Sequence, residues 1–361
     1  MRIELKQVLF PQPKSKIKAG DGKAEGRYKF FTSSPLQTKF HDEANYDEPS
    51  LIFGTGGNAS VHFCDEPFST STDCLVMYGR SRTELETIYN YLKSNIGILE
   101  NGFKGAGLKH ISKDYILAIE IDLPCETIQL EFLQKTRIID EVIESKRTQL
   151  LLNEDLVKSR FIEMFGDPKD NPKGYVKKQL KDTCRVITGN TPSRAVSEYY
   201  GDHIEWIKTD NIVSGLLSPT SATESLSEKG MAVSRTVESG AILMACIAGS
   251  IASIGRVCVT DRKVAFNQQI NAIVPSNYNI LFLYVMLQIS KEYLVDEINM
   301  ALKGILSKSK LEEKTFYVPP IELQNQFAAF VQQTDKSKFE IQQSLEKLEI
   351  LKKSLMQQYF G

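Results

Sequence analysis

The sequence predicts an α+β fold: two globular domains separated by two long antiparallel coiled-coil helices, with an internal two-fold pseudo-repeat. The last eight residues, Ser354–Gly361, match Ser159–Gly166, which lie 195 positions earlier, so one unit occurs twice in the chain. Apolar residues spaced alternately four and three apart precede both segments, and this spacing is typical of a coiled-coil seam.

The globular parts contain corresponding segments in the same order. Three pairs can be matched: Gly26–Thr32 with Gly201–Thr209, Ser50–Gly57 with Ala241–Gly249, and Phe68–Val76 with Phe266–Val274. The apolar runs Gly240–Ile247 and Arg256–Thr260 predict strands between turn-rich loops, whereas Ile280–Ile289 predicts a helix. We therefore place the first domain at 1–123, the first helix at 124–167, the second domain at 168–318 and the second helix at 319–361.

Each helical segment covers about 40 residues, or about 60 Å at 1.5 Å per residue, and this length favours a spacer over an amphipathic helix packed on its own domain. Pro124 and Pro319 stand where the helices begin, and Gly166 ends the first one. The repeat predicts antiparallel pairing of the two helices. The seam positions expected to make this pairing are Ile139, Ile143, Leu150 and Val157 in the first helix and Ile341, Leu345, Leu348 and Leu355 in the second.

The composition is that of a soluble globular protein, with 42% hydrophobic and 25% charged residues among 361. Its six scattered cysteines include no C-x-x-C pair and no histidine at metal-ligand spacing, which predicts a reduced protein without structural zinc. Met1–Phe10 lacks the apolar core of a secretory signal, and the apolar run Ala241–Ile251 is too short to cross a bilayer. Together these features predict a cytoplasmic protein.

The net charge of −1 conceals two basic stretches. Residues 1–39 contain nine Lys or Arg against three Asp or Glu, and residues 169–194 contain seven against two. Because both stretches open a globular domain, their matching positions favour nucleic-acid binding over an ordinary solvated surface. The lysines expected to contact phosphate are Lys14, Lys16, Lys18, Lys177, Lys178 and Lys181.

Motifs for catalysis are not evident in the sequence. Asn171–Tyr175 resembles the [Asp/Asn]-Pro-Pro-aromatic loop of adenine methylation only superficially, and Gly54–Gly57 lacks the Lys-Ser/Thr of a phosphate-binding loop, so it predicts a turn. Asp202, Glu205 and Lys208 approach a nuclease motif, but the spacing Glu-x-x-Lys does not put both side chains on one face of a strand. We therefore predict a chain without a catalytic site or a metal.

Four segments of the second unit resemble a known family: Thr188–Ser193, Gly201–Ile207, Phe266–Gln269 and Val318–Gln324. With two globular domains that are each followed by a helix ending in Phe-Gly, the chain is similar over essentially its whole length to the DNA-specificity subunits of Type I restriction-modification systems. The first unit departs from this pattern. Lys16–Gly26 has no Gly-Asn-Thr-Pro counterpart, and Ser69–Thr72 replaces Asn-Gln-Gln.

This resemblance implies a double-stranded DNA target in two parts, each read by one target-recognition domain and separated by an unread spacer. It also implies partners, namely two modification (methyltransferase) subunits and the restriction (translocase/endonuclease) subunits. The cofactors would belong to these partners and not to this chain: S-adenosylmethionine to the modification subunits, and ATP and Mg²⁺ to the restriction subunits.

Base reading needs groups that hydrogen-bond to base edges: Asn and Gln can pair bidentately with adenine, and Ser and Thr hydroxyls can donate or accept. The further candidates for DNA contact are Asn190, Thr191, Ser193, Arg194, Lys208, Asn211, Asn267, Gln268 and Gln269. For the amides of Asn267–Gln269, a structural role joining two loops is equally compatible with the sequence. Trp206 fits a core position better than a base-stacking surface.

Two other functions stay open at this stage. A compact DNA methyltransferase or nuclease would bind S-adenosylmethionine or cut DNA as the isolated chain. A coiled-coil adaptor protein would bind peptides and would not shift DNA in a gel, even with its partner subunits present.

Overall fold

The computed structural model describes residues 2–105, 107–296, 298 and 304–360. The chain divides into two compact units: unit 1 is 1–146 with 343–361, and unit 2 is 147–342. This division differs from the four predicted segments because each unit includes half of each long helix. Gly361, the end of the predicted second helix, lies outside the described residues.

The globular part of unit 1 is made of short strands and helices. Its elements, with the long helix that follows, are β1 (Arg2–Glu4), β2 (Leu9–Pro11), β3 (Tyr28–Phe31), β4 (Lys39–His41), β5 (Ser50–Gly54), β6 (Ser60–Cys64), β7 (Phe68–Thr70), β8 (Cys74–Gly79), α1 (Arg82–Ser94), α2 (Gly97–Glu100), α3 (Lys113–Leu117), β9 (Glu120–Asp122) and α4 (Glu126–Phe165). One antiparallel sheet has the order β2-β8-β5-β6, a second has the order β4-β3-β7 with β3 and β7 parallel, and β1 pairs with β9.

Helix α1 covers one face of the larger sheet of unit 1. It begins at Arg82 because the Ser81 hydroxyl accepts a hydrogen bond from a backbone N–H in the first turn. Its buried Leu85 and Ile88 belong to the same core as Phe53 of β5. The core therefore lies on the face of the sheet that α1 covers.

Unit 2 repeats this plan with additional short elements. They are β10 (Lys177–Gln179), α5 (Leu180–Thr183), β11 (Cys184–Thr188), β12 (Tyr200–Gly201), β13 (Ile204–Ile207), β14 (Ser225–Leu226), α6 (Glu228–Val233), β15 (Thr236–Val237), β16 (Ile242–Ala245), β17 (Ile247–Ala248), β18 (Val257–Val259), β19 (Val264–Phe266), β20 (Ile270–Pro275), α7 (Ile280–Ile289), α8 (Lys291–Val295), β21 (Gly304–Ile305), α9 (Lys308–Glu313), β22 (Thr315–Tyr317) and α10 (Ile321–Phe360). Helix α7 is apolar on all sides and is buried from Leu281 to Leu287.

The order of strands confirms the internal repeat and the α+β class. The sheet β11-β20-β16-β18 has the order and the antiparallel pairing of β2-β8-β5-β6. The parallel pair β13 and β19 corresponds to β3 and β7, and the pair β10 and β22 corresponds to β1 and β9. The two units differ most in the length of one connection. Residues 208–241 join β13 to β16 in unit 2, whereas residues 32–49 join the equivalent strands β3 and β5 in unit 1.

One of the predicted correspondences is displaced by two residues. The backbone N–H of Ser71 donates to the Phe31 carbonyl oxygen, and that of Asn267 donates to the Ile207 carbonyl oxygen, so Ser71 is the counterpart of Asn267. The sequence match pairs Phe68 with Phe266 because both are phenylalanines. The true correspondence follows from the turns after β7 and β19, in which Ser71 and Asn267 take the same place. A side-chain oxygen at Ser71 or Asn267 accepts from the backbone N–H two residues later in both turns.

The long helices pair antiparallel within unit 1. Asp140 of α4 pairs with Lys352 of α10 at 2.5 Å, while Phe132, earlier on α4, packs edge-on against Phe360, later on α10. An earlier residue of α4 thus contacts a later residue of α10, which means that the two helices are antiparallel. The predicted seam residues in this unit face inward: Ile139, Ile143, Leu345 and Leu355 are buried, and Leu348 is partly buried.

The halves of the helices in unit 2 pair in the same sense. Glu154 of α4 pairs with Lys338 of α10 at 3.5 Å, and the rings of Phe161 and Phe165 both contact Phe327. Leu150, Val157 and Ile341 are partly buried there. The predicted antiparallel coiled coil is therefore confirmed in each unit.

The two long helices begin with the same side-chain hydrogen bond. Gln129 is buried in α4 and donates from Nε2 to the Pro124 carbonyl oxygen at 2.8 Å, and Gln324 donates to the Pro319 carbonyl oxygen at 2.8 Å. Both the glutamines and the prolines are 195 positions apart. Helix α4 ends at Phe165, and the next residue, Gly166, has a φ of 82°, the left-handed conformation that glycine adopts without strain.

The structure leaves one cysteine accessible, Cys125, and buries the other five. Among the described residues, no helix combines the length and the apolar character needed to cross a membrane.

Candidate nucleic-acid interface

Four strands of unit 2 end at one edge of its sheets. β11 and β16 both run antiparallel to β20, with Thr188 opposite Asn271 and Ala245 opposite the adjacent Ile270. β13 ends beside β19, and residues 267–269 join β19 to β20. The loops that follow these strands therefore lie together. We call them the unit 2 edge: residues 189–196, 208–212, 246–250 and 267–269.

Neighbouring residues hold Asn190 in a fixed position at this edge. Its Nδ2 donates to the Val233 carbonyl oxygen at 3.0 Å, and its Oδ1 accepts from the backbone N–H of Arg235 at 2.8 Å. Its carbonyl oxygen accepts from the indole N–H of Trp206, which is 3% exposed and thus a core residue, as its sequence context indicates. Because both amide atoms of Asn190 are engaged, this side chain shapes the loop.

The segment Asn267–Gln269 contains side chains of two kinds. Asn267 is 6% exposed, and it accepts from the backbone N–H of Gln269 and donates to Oε1 of the same residue, both at 3.1 Å. Gln268 is exposed, and its Oε1 accepts from the hydroxyl of Thr191, itself exposed. Nothing among the described residues bonds to Nε2 of Gln268. The geometry thus favours a structural role for Asn267, whereas the side chain of Gln268 faces solvent.

Arg194 and Lys208 share one carboxylate. Oε2 of Glu224 accepts from Nη2 of Arg194 at 2.6 Å, and Oε1 accepts from Nζ of Lys208 at 2.5 Å. The hydrogen bond from Lys208, followed by the one from Arg194, holds the pKa of Glu224 below its usual range. This group carries two positive charges and one negative charge, so the net charge that it contributes to the edge is positive.

Asn211 and Ser193 differ in accessibility. Asn211 is 7% exposed, and its Nδ2 donates to the Ser221 carbonyl oxygen at 3.0 Å and to the Thr220 hydroxyl at 3.2 Å. Its Oδ1 accepts from the backbone N–H of Lys208 at 3.0 Å. The amide of Asn211 is therefore satisfied within its own loop, whereas Ser193 is exposed. The predicted DNA contact of Asn211 stays a prediction that this geometry does not favour.

Unit 1 has an equivalent edge, formed by the loops after β2, β3, β5 and β7. The backbone N–H of Thr72 donates to the Ile17 carbonyl oxygen, and that of Thr55 donates to the Asp73 carbonyl oxygen, both at 2.9 Å, so these loops are joined. We call them the unit 1 edge: residues 12–18, 32–38, 55–59 and 71–73. The exposed lysines that follow β2 in this edge are Lys14, Lys16 and Lys18.

The second set of lysines lies elsewhere, although it is also exposed. Lys177 and Lys178 are on β10, and Lys181 is on α5. All three precede β11, whose five residues, at about 3.3 Å each, separate them from the unit 2 edge. Both basic stretches open their globular domains, as the sequence indicates, but the two sets of lysines chosen from them do not occupy equivalent positions. Because β2 and β11 are equivalent strands, the counterpart of residues 14–18 is 189–193. A count of charges does not show whether a lysine comes before or after a strand.

Arg235 lies at the unit 2 edge and was missed by the sequence analysis. Its side chain is exposed, and Nη1 donates to the Thr188 carbonyl oxygen at 2.7 Å. Arg235 belongs to the connection 208–241, which is longer than its counterpart in unit 1. The unequal length of the two connections was the available signal.

The residues considered for other chemistry have structural partners. Glu205 pairs with Arg262, which holds the pKa of the Glu205 carboxyl below its usual range, and Lys208 pairs with Glu224. Gly54–Gly57 begins the turn between β5 and β6, as predicted. Within the described part of the chain, no group of three or more His, Cys, Asp or Glu side chains could hold a metal ion.

Comparison with known proteins gives one consistent result. A family model described as the Type I restriction modification DNA specificity domain matches residues 3–153 and 172–352. The Type I restriction enzyme HindI specificity subunit of Haemophilus influenzae is 32% identical over 120 residues, which are 32% of this chain and 25% of that protein. The Type I restriction enzyme MjaIX specificity subunit of Methanocaldococcus jannaschii is 28% identical over 170 residues, 45% of this chain and 38% of that protein. The matches thus span less than half of either curated relative.

Two solved structures share the fold. The Type-I restriction-modification system S subunit from M. genitalium superposes with a TM-score of 0.65 over 100% of this chain and 96% of that chain, at 15% identity. A structure described as the structural basis of complex assembly and conformational transition of the type I R-M system gives a TM-score of 0.58 over 99% and 97%, also at 15% identity.

Proposed function

Because the chain belongs to the Type I restriction-modification DNA specificity family, we propose that it selects a bipartite sequence in double-stranded DNA and catalyses no reaction itself. Each unit reads one half of the target, and the helices set the spacer between the halves. The observation that carries this proposal is the repetition of one loop-built edge in both units, each edge with exposed groups suited to DNA.

The two edges offer different chemistry to DNA. Lys14, Lys16 and Lys18 of the unit 1 edge are exposed, and among the described residues their ammonium groups have no ion-pair partner. Such groups neutralise phosphates, which gives affinity and register without base identity. The unit 2 edge has outward polar groups on Thr191, Arg194 and Gln268, which can reach base edges.

The long helices provide surfaces for partners. Exposed apolar side chains on them include Leu151, Leu156 and Phe339 in unit 2 and Ile138, Ile350 and Leu351 in unit 1. Leu156 and Leu351 are 195 positions apart, so the repeat presents one apolar position twice. Contiguous exposed apolar patches mark protein interfaces, and we propose two copies of the modification subunit as the occupants of these helix surfaces.

The reactions themselves belong to the partners in this proposal. The modification subunits bind S-adenosylmethionine, and the restriction subunits, which join the same complex in the cytoplasm, use ATP and Mg²⁺. This chain supplies the DNA sequence at which they act.

The proposed function is tested by co-expressing the chain with its modification subunits in an unmethylated host and mapping methylated bases by sequencing. One bipartite motif should be methylated, and only when the chain is present. Methylation that does not need the chain would contradict the proposal, as would S-adenosylmethionine binding or DNA cleavage by the pure chain.

Replacing Gln268 with alanine should weaken binding at the cognate half-site by about 1–3 kcal/mol, because an outward amide that pairs bidentately with adenine is lost. Its unfolding free energy should stay nearly constant. Asn267→Ala should instead lower stability, since it removes two hydrogen bonds from a buried turn. Fluorescence anisotropy with cognate and random duplexes, beside urea unfolding, measures both. Equal losses on the two duplexes for Gln268→Ala would refute base reading by this residue.

Replacing Lys14, Lys16 and Lys18 together with glutamine should weaken binding to all sequences and reduce the salt dependence by up to about one unit per lost phosphate contact. The sequence alone predicts the same for Lys177, Lys178 and Lys181. Their location before β11 now predicts a smaller change for that triple variant, which makes it a matched control of equal charge. Titrations of the assembled complex across salt concentrations compare the two. A larger effect of the second set would show that the strand-end edges are not the DNA surface.

A further inference from the structure

We propose that Arg194 reads a guanine in the half-site recognised by unit 2, and that Glu224 and Tyr200 hold its guanidinium in the reading orientation. This inference rests on the proposed DNA-reading function and adds to it one residue and one base. It makes Arg194 a specificity-determining residue and Glu224 a positioning residue.

Three contacts orient the guanidinium of Arg194. Nη2 donates to Oε2 of Glu224 at 2.6 Å, and Cζ lies 4.4 Å from the centroid of the Tyr200 ring and 5.4 Å from that of Trp206. Both aromatic residues are anchored, because the Tyr200 hydroxyl donates to the Pro192 carbonyl oxygen at 2.8 Å and the Trp206 indole donates to the carbonyl oxygen of Asn190. A side chain stacked on one face and bonded at one end loses little conformational entropy when it binds.

The free part of the guanidinium faces solvent. The Arg194 side chain is 57% exposed, and no described residue accepts a hydrogen bond from its Nε or Nη1. Nη2 carries two N–H groups and gives one of them to Glu224. Its second N–H forms a planar fork with the parallel N–H of a neighbouring nitrogen, Nε or Nη1, and such a fork matches a pair of adjacent acceptors. In the major groove, guanine presents such a pair at N7 and O6, whereas adenine and cytosine present an amino donor that would oppose the guanidinium. The chemistry of the free donors therefore selects guanine.

Glu224 adds selectivity as well as orientation. Its carboxylate neutralises part of the charge of Arg194 and Lys208, and it would repel a phosphate that approached either cation. Binding to random DNA, which depends on phosphate contacts, is therefore weakened relative to binding through a base contact. A cation that served only to hold phosphate would gain nothing from a paired carboxylate and an aromatic support.

The test uses the chain assembled with its modification subunits, and it compares Arg194→Lys, Glu224→Gln and the control Glu198→Gln. Glu198 pairs with Lys229 at 2.5 Å on the surface of the same unit and does not bond to Arg194. Arg194→Lys keeps the charge but loses the fork, so the methylated motif should become degenerate at one guanine, with about tenfold less discrimination there. The salt dependence should not change. Glu224→Gln should relax the same position and strengthen binding to random DNA, and the control should leave both unchanged.

Several results would overturn the inference. The inference fails if the half of the wild-type motif that changes with Gln268→Ala contains no guanine. It also fails if Arg194→Lys leaves the methylated motif unchanged. A uniform loss on all sequences, with a lower salt slope for Arg194→Gln, would make Arg194 a phosphate contact. A thermal melt of each variant separates misfolding from lost reading. If the wild-type complex itself produces no bipartite motif, the proposed function fails and not this assignment.

Discussion

A fragment that begins at Asp167 and keeps α10 is expected to form a homodimer through that helix. Unit 2 normally receives the rings of Phe161 and Phe165 from α4, and both are fully buried in its core. The residues 195 positions later are Met356 and Phe360, and both are buried in unit 1. A second copy of the fragment can therefore supply the same apolar contacts that α4 supplies in the whole chain.

Charge pairing favours this homodimer. The ion pairs of the chain place Asp140 against Lys352 and Glu154 against Lys338. When α10 pairs with its own copy in the same register, Asp335 takes the place of Asp140, and the residue 195 positions after Glu154 is again a glutamate. Both ion pairs are thus retained, and each occurs twice.

Pairing of α4 with its own copy has no such ion pairs. In the same register Asp140 would face Val157, and Glu154 would face Ile143, so two carboxylates would meet apolar side chains. A fragment of residues 1–166 should therefore remain monomeric at concentrations at which the second fragment is a dimer. The difference arises at two positions, where α10 has Lys338 and Lys352 and α4 has Ile143 and Val157.

Light scattering during size-exclusion chromatography measures both states. In the second fragment, Lys352→Glu should weaken the dimer by about tenfold or more, because two attractions become repulsions. Lys353→Glu makes the same change of charge at an exposed position and should have little effect. With the modification subunits, the dimer should direct methylation to a palindrome of the second half-site. A fragment that stays monomeric, or that methylates only the original asymmetric site, would refute the two-unit interpretation.

Replacing Phe327 with alanine should lower the unfolding free energy of unit 2 by about 3–5 kcal/mol. The ring is fully buried, and its centroid lies 5.3 Å from that of Phe161, 5.6 Å from that of Phe165 and 6.5 Å from that of Phe282. Side chains from two other helices, α4 and α7, meet on this ring, so its removal leaves a cavity that no single side chain can fill by rotating.

Trp206 is the single tryptophan of the chain and is buried in unit 2, so its fluorescence during urea unfolding reports on that unit. Phe339→Ala removes the same group from the same helix, but that ring is 62% exposed. This control should change stability by no more than about 0.5 kcal/mol. Similar losses for the two variants would mean that the aromatic cluster does not hold unit 2 together.

The helices and the repeat could be predicted because their signals are local. The alternating spacing of apolar residues needs no knowledge of the fold, and the matching ends at Gly166 and Gly361 are visible by inspection. The α+β class followed from the short strand-like runs. The chain's division into two units could not be predicted, because it depends on which half of each helix a globular part packs against.

The candidate site was predicted only in part. Nine of the fifteen residues proposed for DNA contact lie in the unit 2 edge, because the loops that follow β11, β13, β16 and β19 lie together there. Which of them face outward depends on turn geometry: Gln268 is exposed, whereas Asn267, its neighbour, is enclosed. The placement of Lys177 depends on strand pairing with β22, which no charge count contains.

The unequal connections, 208–241 in unit 2 and 32–49 in unit 1, show which part of the repeated unit tolerates a difference in length. The sheet order and the glutamine at the start of each long helix are the same in both units, while this connection differs in length. Lengthening a loop costs little free energy, because the entropy of closing it rises only with the logarithm of its length. The longer connection contains Glu224 and Arg235, so the two units present different recognition surfaces on cores that share one plan.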